Sequence, residues 1–134
     1  MPTIIRRTET VLLTDKRRDV VNAVGWQVTS SLWTPPTDVY ETEEKYIVRI
    51  EAAGMRESDF EVTFDKGILL VKGVRSDVPE KRGYHQMEIH FGKFTTSIVI
   101  PGAIDLDTSM AEYHDGFLII SLPKLKTTEV KIEE

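Results

Sequence analysis

The chain contains no cysteine, which excludes disulfides and thiol nucleophiles and fits a reducing compartment. It also lacks any long hydrophobic run. Its longest apolar stretches, Ile68-Leu69-Leu70-Val71 and Phe117-Leu118-Ile119-Ile120, fall far short of the ~20 residues that a membrane-spanning helix needs. No apolar segment follows Arg6 and Arg7, so the start does not read as a secretory signal. Positive charge is in deficit. Lys and Arg number 17 against 22 Asp and Glu, a net charge of −5, which argues against a general nucleic-acid binder. The expectation is a cytoplasmic protein with neither a nucleic acid nor a membrane as partner.

Catalytic motifs are missing too. A phosphate-binding loop ending at Gly92-Lys93 needs a glycine five residues earlier and Ser or Thr after the lysine. Met87 and Phe94 stand there instead. There is no G-x-S-x-G turn. His85 and His90 are five apart and fall on opposite faces of a strand, so they do not chelate one metal together. Glu43-Glu44 and Glu133-Glu134 read as solvated charge. No enzyme, no cofactor and no metal site is expected.

What is present divides the 134 residues into three zones. Residues 1–33 form an arm. Val20, Val21, Val24, Val28 and Leu32 recur at intervals of one, three and four, an apolar stripe on a helix starting near Thr14 or Asp15. The valines and Gly25 weaken that helix, so the arm is expected to be partly helical and to order against a partner. Val24, Trp26, Val28, Leu32 and Trp33 are its candidates for covering apolar surface on another protein.

Residues 34–124 read as all-β. Tyr46, Val48, Ile50 and Ala52 alternate with Ile47, Arg49 and Glu51, and Phe60, Val62 and Phe64 with Glu61 and Thr63. Asp65-Lys66-Gly67 and Asp115-Gly116 are turn signals. A charged loop over 75–83 leads to a strand in which Met87, Ile89 and Phe91 share a face; Gly92-Lys93 then interrupts it. Short strands with frequent turns indicate an antiparallel β-sandwich. Residues 125–134 form an extended polar tail. Val130 and Ile132, flanking Lys131, are its only aliphatic pair and suit docking on another subunit's sheet.

In combination these pieces resemble the small heat-shock protein family. Glu51-Ala52-Ala53-Gly54-Met55 through Val62 is similar to the family's L-P-G segment, with Ala53 in place of proline. Gly67-Ile68-Leu69-Leu70-Val71-Lys72-Gly73, Phe91-Gly92-Lys93-Phe94 with Ile100-Pro101, and A-x-x-x-x-G-x-L at Ala111, Gly116 and Leu118 follow in the family's order. One departure is Thr96, where relatives often carry arginine. The resemblance implies an immunoglobulin-like sandwich, the α-crystallin domain, and an ATP-independent holdase for partly unfolded clients. It also implies homodimers built by exchange of a strand, here Tyr84, His85, Gln86, Met87, Glu88, Ile89, His90 and Phe91. Val130 and Ile132 would anchor those dimers into a larger homo-oligomer. ATP-driven chaperones would act downstream on released clients. The alternative is a p23-like co-chaperone adaptor on the same sandwich.

Overall fold

In the strand Lys45–Glu51, Tyr46, Val48 and Ile50 are buried and Lys45, Arg49 and Glu51 are exposed, while Ile47 on the other face is buried as well. The computed structural model describes residues 33–126 in full and residues 6–7 by their backbone. The helix expected in the arm, with Val24, Trp26, Val28 and Leu32, lies outside the described residues, as do Val130 and Ile132.

Eight strands are present among the described residues. They are β1 (Arg6–Arg7), β2 (Thr37–Glu41), β3 (Lys45–Glu51), β4 (Phe60–Asp65), β5 (Ile68–Arg75), β6 (Gly92–Val99), β7 (Met110–His114) and β8 (Phe117–Pro123). They form two four-stranded sheets, ordered β1-β4-β5-β6 and β2-β3-β8-β7. All pairs are antiparallel except β1 with β4, which run parallel. The all-β sandwich expected from the alternation is the fold observed.

Val48, Ile50, Leu69, Val71, Phe94, Leu118, Ile120 and Leu122 are fully buried and belong to one cluster. Each such side chain contributes roughly 1.5–3 kcal/mol by leaving water. Two hairpins are set by their turn residues. Lys66 and Gly67 have φ of 48° and 79°, Asp115 and Gly116 of 51° and 83°. Positive φ at both central residues gives the turn whose twist matches antiparallel strands. A side chain at Gly73 would collide with the Phe94 ring. Glycine there lets Phe94 sit edge-on to Trp33 and Phe60, with ring centres 5.3 and 6.1 Å away.

Three expectations need correction. Trp33, assigned to the arm as a client-binding residue, is 8% exposed and sits in the core cluster. Pro35 is fully buried beside it in the chain, so the folded unit reaches back at least to Trp33. Second, the break at Gly92 is placed differently; residues 84–91 lie outside both sheets in the single chain, which leaves their expected pairing with a partner subunit untested. Gly92, with φ of 102°, opens β6 rather than interrupting a longer strand. Third, the arm contributes β1, which no hydrophobic pattern announced.

Candidate functional site

Two surfaces stand out. The first is the segment 84–91 with the loop before it. Met87 and Ile89 are each 65% exposed, and Tyr84 is half exposed. The loop is shaped locally around Arg82. Its guanidinium pairs with Asp77 at 3.1 Å and Glu80 at 2.9 Å, donates to the Val78 carbonyl, and lies over the Tyr84 ring. Gln86 donates to Glu88 within the segment itself.

The root of the segment is fastened by Arg75, the last residue of β5. Its Nε donates to the His90 carbonyl at 2.8 Å and its Nη1 to the Ala53 carbonyl at 3.3 Å. The guanidinium lies 4.2 Å from the Trp33 ring centre and 5.5 Å from that of Phe91. Such a cation over an aromatic face adds about 0.5–2 kcal/mol. The Trp33 indole donates to the Gly92 carbonyl at 3.1 Å, and the His90 ring stacks on it at 5.9 Å. One cluster therefore ties Trp33 to the point where the loop returns. The sequence reading missed Arg75 and Arg82. Arg75 had a signal available, standing where an apolar strand meets a charged loop.

β2 pairs with β3 alone among the described residues, and its Val39 and Tyr40 are exposed. Arg49 on β3 donates to Asp38 on β2 at 2.6 Å, and Lys124 to Glu41 at 2.6 Å. Both cations have raised pKa values, chiefly through these hydrogen bonds.

The second surface lies at one end of the sandwich. Phe64, Asp65, Lys66, Gly67, Ala103, Ile104 and Leu106 border a cavity of about 470 Å³. The chain leaves toward its tail beside this cavity, with the Leu125 N–H donating to the Ala103 carbonyl at 3.1 Å. Asp65 Oδ2 is buried there with no hydrogen-bond partner among the described residues.

Neither surface is a catalytic constellation. On the outer face of β2-β3-β8-β7, Arg49 pairs with Asp38 and His114 with Asp115. No three His, Cys, Asp or Glu side chains converge as metal ligands among the described residues. Among those residues, no helix is long and apolar enough to cross a membrane.

The model of the Hsp20/alpha crystallin family matches residues 38–133. The chain belongs to that family. Its members are stress-response chaperones. Small heat shock protein C2 of Rickettsia felis is 32% identical over 104 residues, covering 74% of this chain and 68% of the relative. Small heat shock protein C4 of the same organism is 30% identical, with 76% and 64% covered. Among solved structures, a small heat-shock protein from Xylella fastidiosa superposes with a TM-score of 0.66 at 30% identity, covering 76% of this chain and 96% of that one. Heat shock protein 16.0 from Schizosaccharomyces pombe gives 0.65 at 28% identity, with the same coverage. Against this family, Thr96 is the departure noted from sequence. It lies on β6 opposite Val71, and its hydroxyl is buried without a hydrogen-bond partner among the described residues.

Proposed function

We propose that this small heat-shock protein is an ATP-independent holdase of the cytoplasm that covers apolar segments of partly unfolded clients. The observation carrying the reading is a pair of surfaces left uncovered by the described residues of one sandwich: an apolar segment outside both sheets, at Met87 and Ile89, and the edge of β2 away from β3. In the dimer, residues 84–91 of one subunit pair with β2 of the other, which removes both. Val130 and Ile132 then anchor dimers into a larger homo-oligomer by docking in the groove between β4 and β7 of a neighbour. Each anchor is weak alone and effective through repetition. Val24, Trp26, Val28 and Leu32 cover client surface. Trp33 leaves that set because it is buried. The protein has no enzymatic step, and ATP-driven chaperones refold what it releases.

Light scattering of a heat-aggregating client in ATP-free buffer tests the reading. Suppression at near-equimolar ratio is expected. Protection that appears only with ATP, or only when another chaperone is added, would overturn it; the latter result is that of an adaptor.

A further inference from the structure

The ladder between β5 and β6 stops where the alternation of the chain could carry it on. The Ile100 N–H donates to the Gly67 carbonyl at 2.8 Å, which makes 67 with 100 a hydrogen-bonded rung. Such rungs recur at every second residue of an antiparallel pair. The register runs from Ile68 opposite Val99 to Arg75 opposite Gly92, so the last of these rungs is 75 with 92. Continued in the same register, the next two would join Asp77 with His90 and Pro79 with Glu88. Residues 84–91 have the pattern to extend β6 in that way, since Met87, Ile89 and Phe91 fall on one face. A hairpin prolonged so far would use up the segment within its own chain. Yet residues 76–91 lie in no strand, and side chains block both rungs. The His90 carbonyl, which would accept from the Asp77 N–H, accepts instead from Arg75 Nε at 2.8 Å and from Arg75 Nη2. The same guanidinium donates to the Ala53 carbonyl at 3.3 Å and lies 4.2 Å from the Trp33 ring centre. Pro79 has no N–H to give to Glu88. Between β6 and the first missing rung stands Gly92, whose φ of 102° breaks the extended run.

We propose that Arg75 and Pro79 form a stop on the β5–β6 hairpin that reserves residues 84–91 for the edge of a partner's β2. The inference rests on the dimer proposed above. Pairing within the chain and pairing with a second copy compete for one segment. The intrachain rival starts with the advantage, because its two strands are tethered at high effective concentration. The stop offsets that advantage by taking an acceptor from one rung and a donor from the next, so a growing hairpin meets both at its first steps past β6. A partner's β2 brings neither block. Arg75 is therefore a positioning residue. It spends its fork of donors on a main-chain carbonyl at the root of the segment, and Trp33 and Ala53 keep that fork in place.

Arg75→Met with Pro79→Thr removes both blocks. At a concentration where dimers have dissociated, hydrogen exchange should find the amides of Glu88 and His90 protected in this variant and unprotected in the wild type, because a prolonged hairpin pairs them with residues 79 and 77. Subunit association, followed by sedimentation on dilution, should weaken roughly tenfold, the factor for a hairpin that holds about nine chains in ten. Unchanged association overturns the stop. So does weakened association with both amides unprotected, the result of a merely structural role for Arg75. Protection of these amides in dissociated wild-type protein overturns it as well, and that measurement needs no variant that could misfold. Met87→Ala with Ile89→Ala, run alongside, separates the two readings. If that pair leaves association unchanged, the dimer reading falls and the stop with it. If it weakens association and Arg75→Met with Pro79→Thr does not, the stop alone falls.

Discussion

β3 and the segment 84–91 carry the same apolar alternation and reach opposite fates. Tyr46, Val48 and Ile50 point between two sheets and are buried. Met87 and Ile89 have equal spacing and similar hydrophobicity, yet they stand in solvent outside both sheets. Alternation states which face of an extended segment is apolar. It does not state whether a neighbouring strand or an opposing sheet exists to receive that face. β3 has β2 on one side and β8 on the other. Residues 84–91 have no strand neighbour among the described residues, and Arg75 and the Arg82 cluster hold their flanks. An alternating segment left unpaired in its own chain is a surface awaiting a partner.

A change in the core tests the β3 half of that comparison. Ile50→Ala is expected to lower stability by about 2–5 kcal/mol in urea unfolding. Met87→Ala with Ile89→Ala should leave the circular dichroism spectrum intact and weaken subunit association instead, seen by sedimentation at dilution. If the double variant unfolds as Ile50→Ala does, the segment belongs to its own core and the comparison breaks.

Truncation sharpens where the folded unit begins. Removing residues 1–32 should leave a folded domain, whereas removing 1–33 should cost a further ~3–5 kcal/mol through loss of the buried indole. Equal midpoints for the two truncations would return Trp33 to the arm.

Arg75→Met attacks what fastens the exposed segment. Loss of the hydrogen bonds to His90 and Ala53 should cost about 1–2 kcal/mol and speed tryptic cleavage at Lys81 and Arg82. Unchanged cleavage would mean that the loop is held by Arg82 alone.

Thr96→Val is expected to change stability in the other direction. It removes a buried hydroxyl with no partner among the described residues while keeping the shape, so a gain of up to about 1 kcal/mol is expected. A loss in thermal unfolding would show that the hydroxyl is bonded in the assembly.

The smallest effect concerns Lys124. Its pKa is raised by the hydrogen bond to Glu41, so the pair stabilises fully below the ordinary lysine range and fades as pH rises through the raised value. A small deficit of Lys124→Met near neutrality should therefore vanish at strongly alkaline pH. A deficit that persists there would assign Lys124 a packing role instead.

Much of the sandwich was legible before any coordinates. Asp115-Gly116 carries its own turn chemistry, and Tyr46, Val48 and Ile50 announce a buried face whatever surrounds them. The family was legible because several weak motifs stood in one order. Trp33 was misread for a physical reason. A large aromatic ahead of Pro35-Pro36 reads as an exposed arm unless one knows that Gly73 has cleared room for Phe94 and that Arg75 arrives over the indole. β1 was invisible for a similar reason, since two arginines pair through backbone groups that every residue possesses.

The sequence by itself determined the fold class, the turns and the apolar faces, because each depends on residues close together in the chain. The tertiary structure alone decided which alternating segment lies inside and which edge is covered. It also decided which arginine fastens the loop. These depend on contacts between residues far apart in the chain, such as Trp33 with Gly92 and Arg6 with Thr63, whose proximity no local pattern encodes.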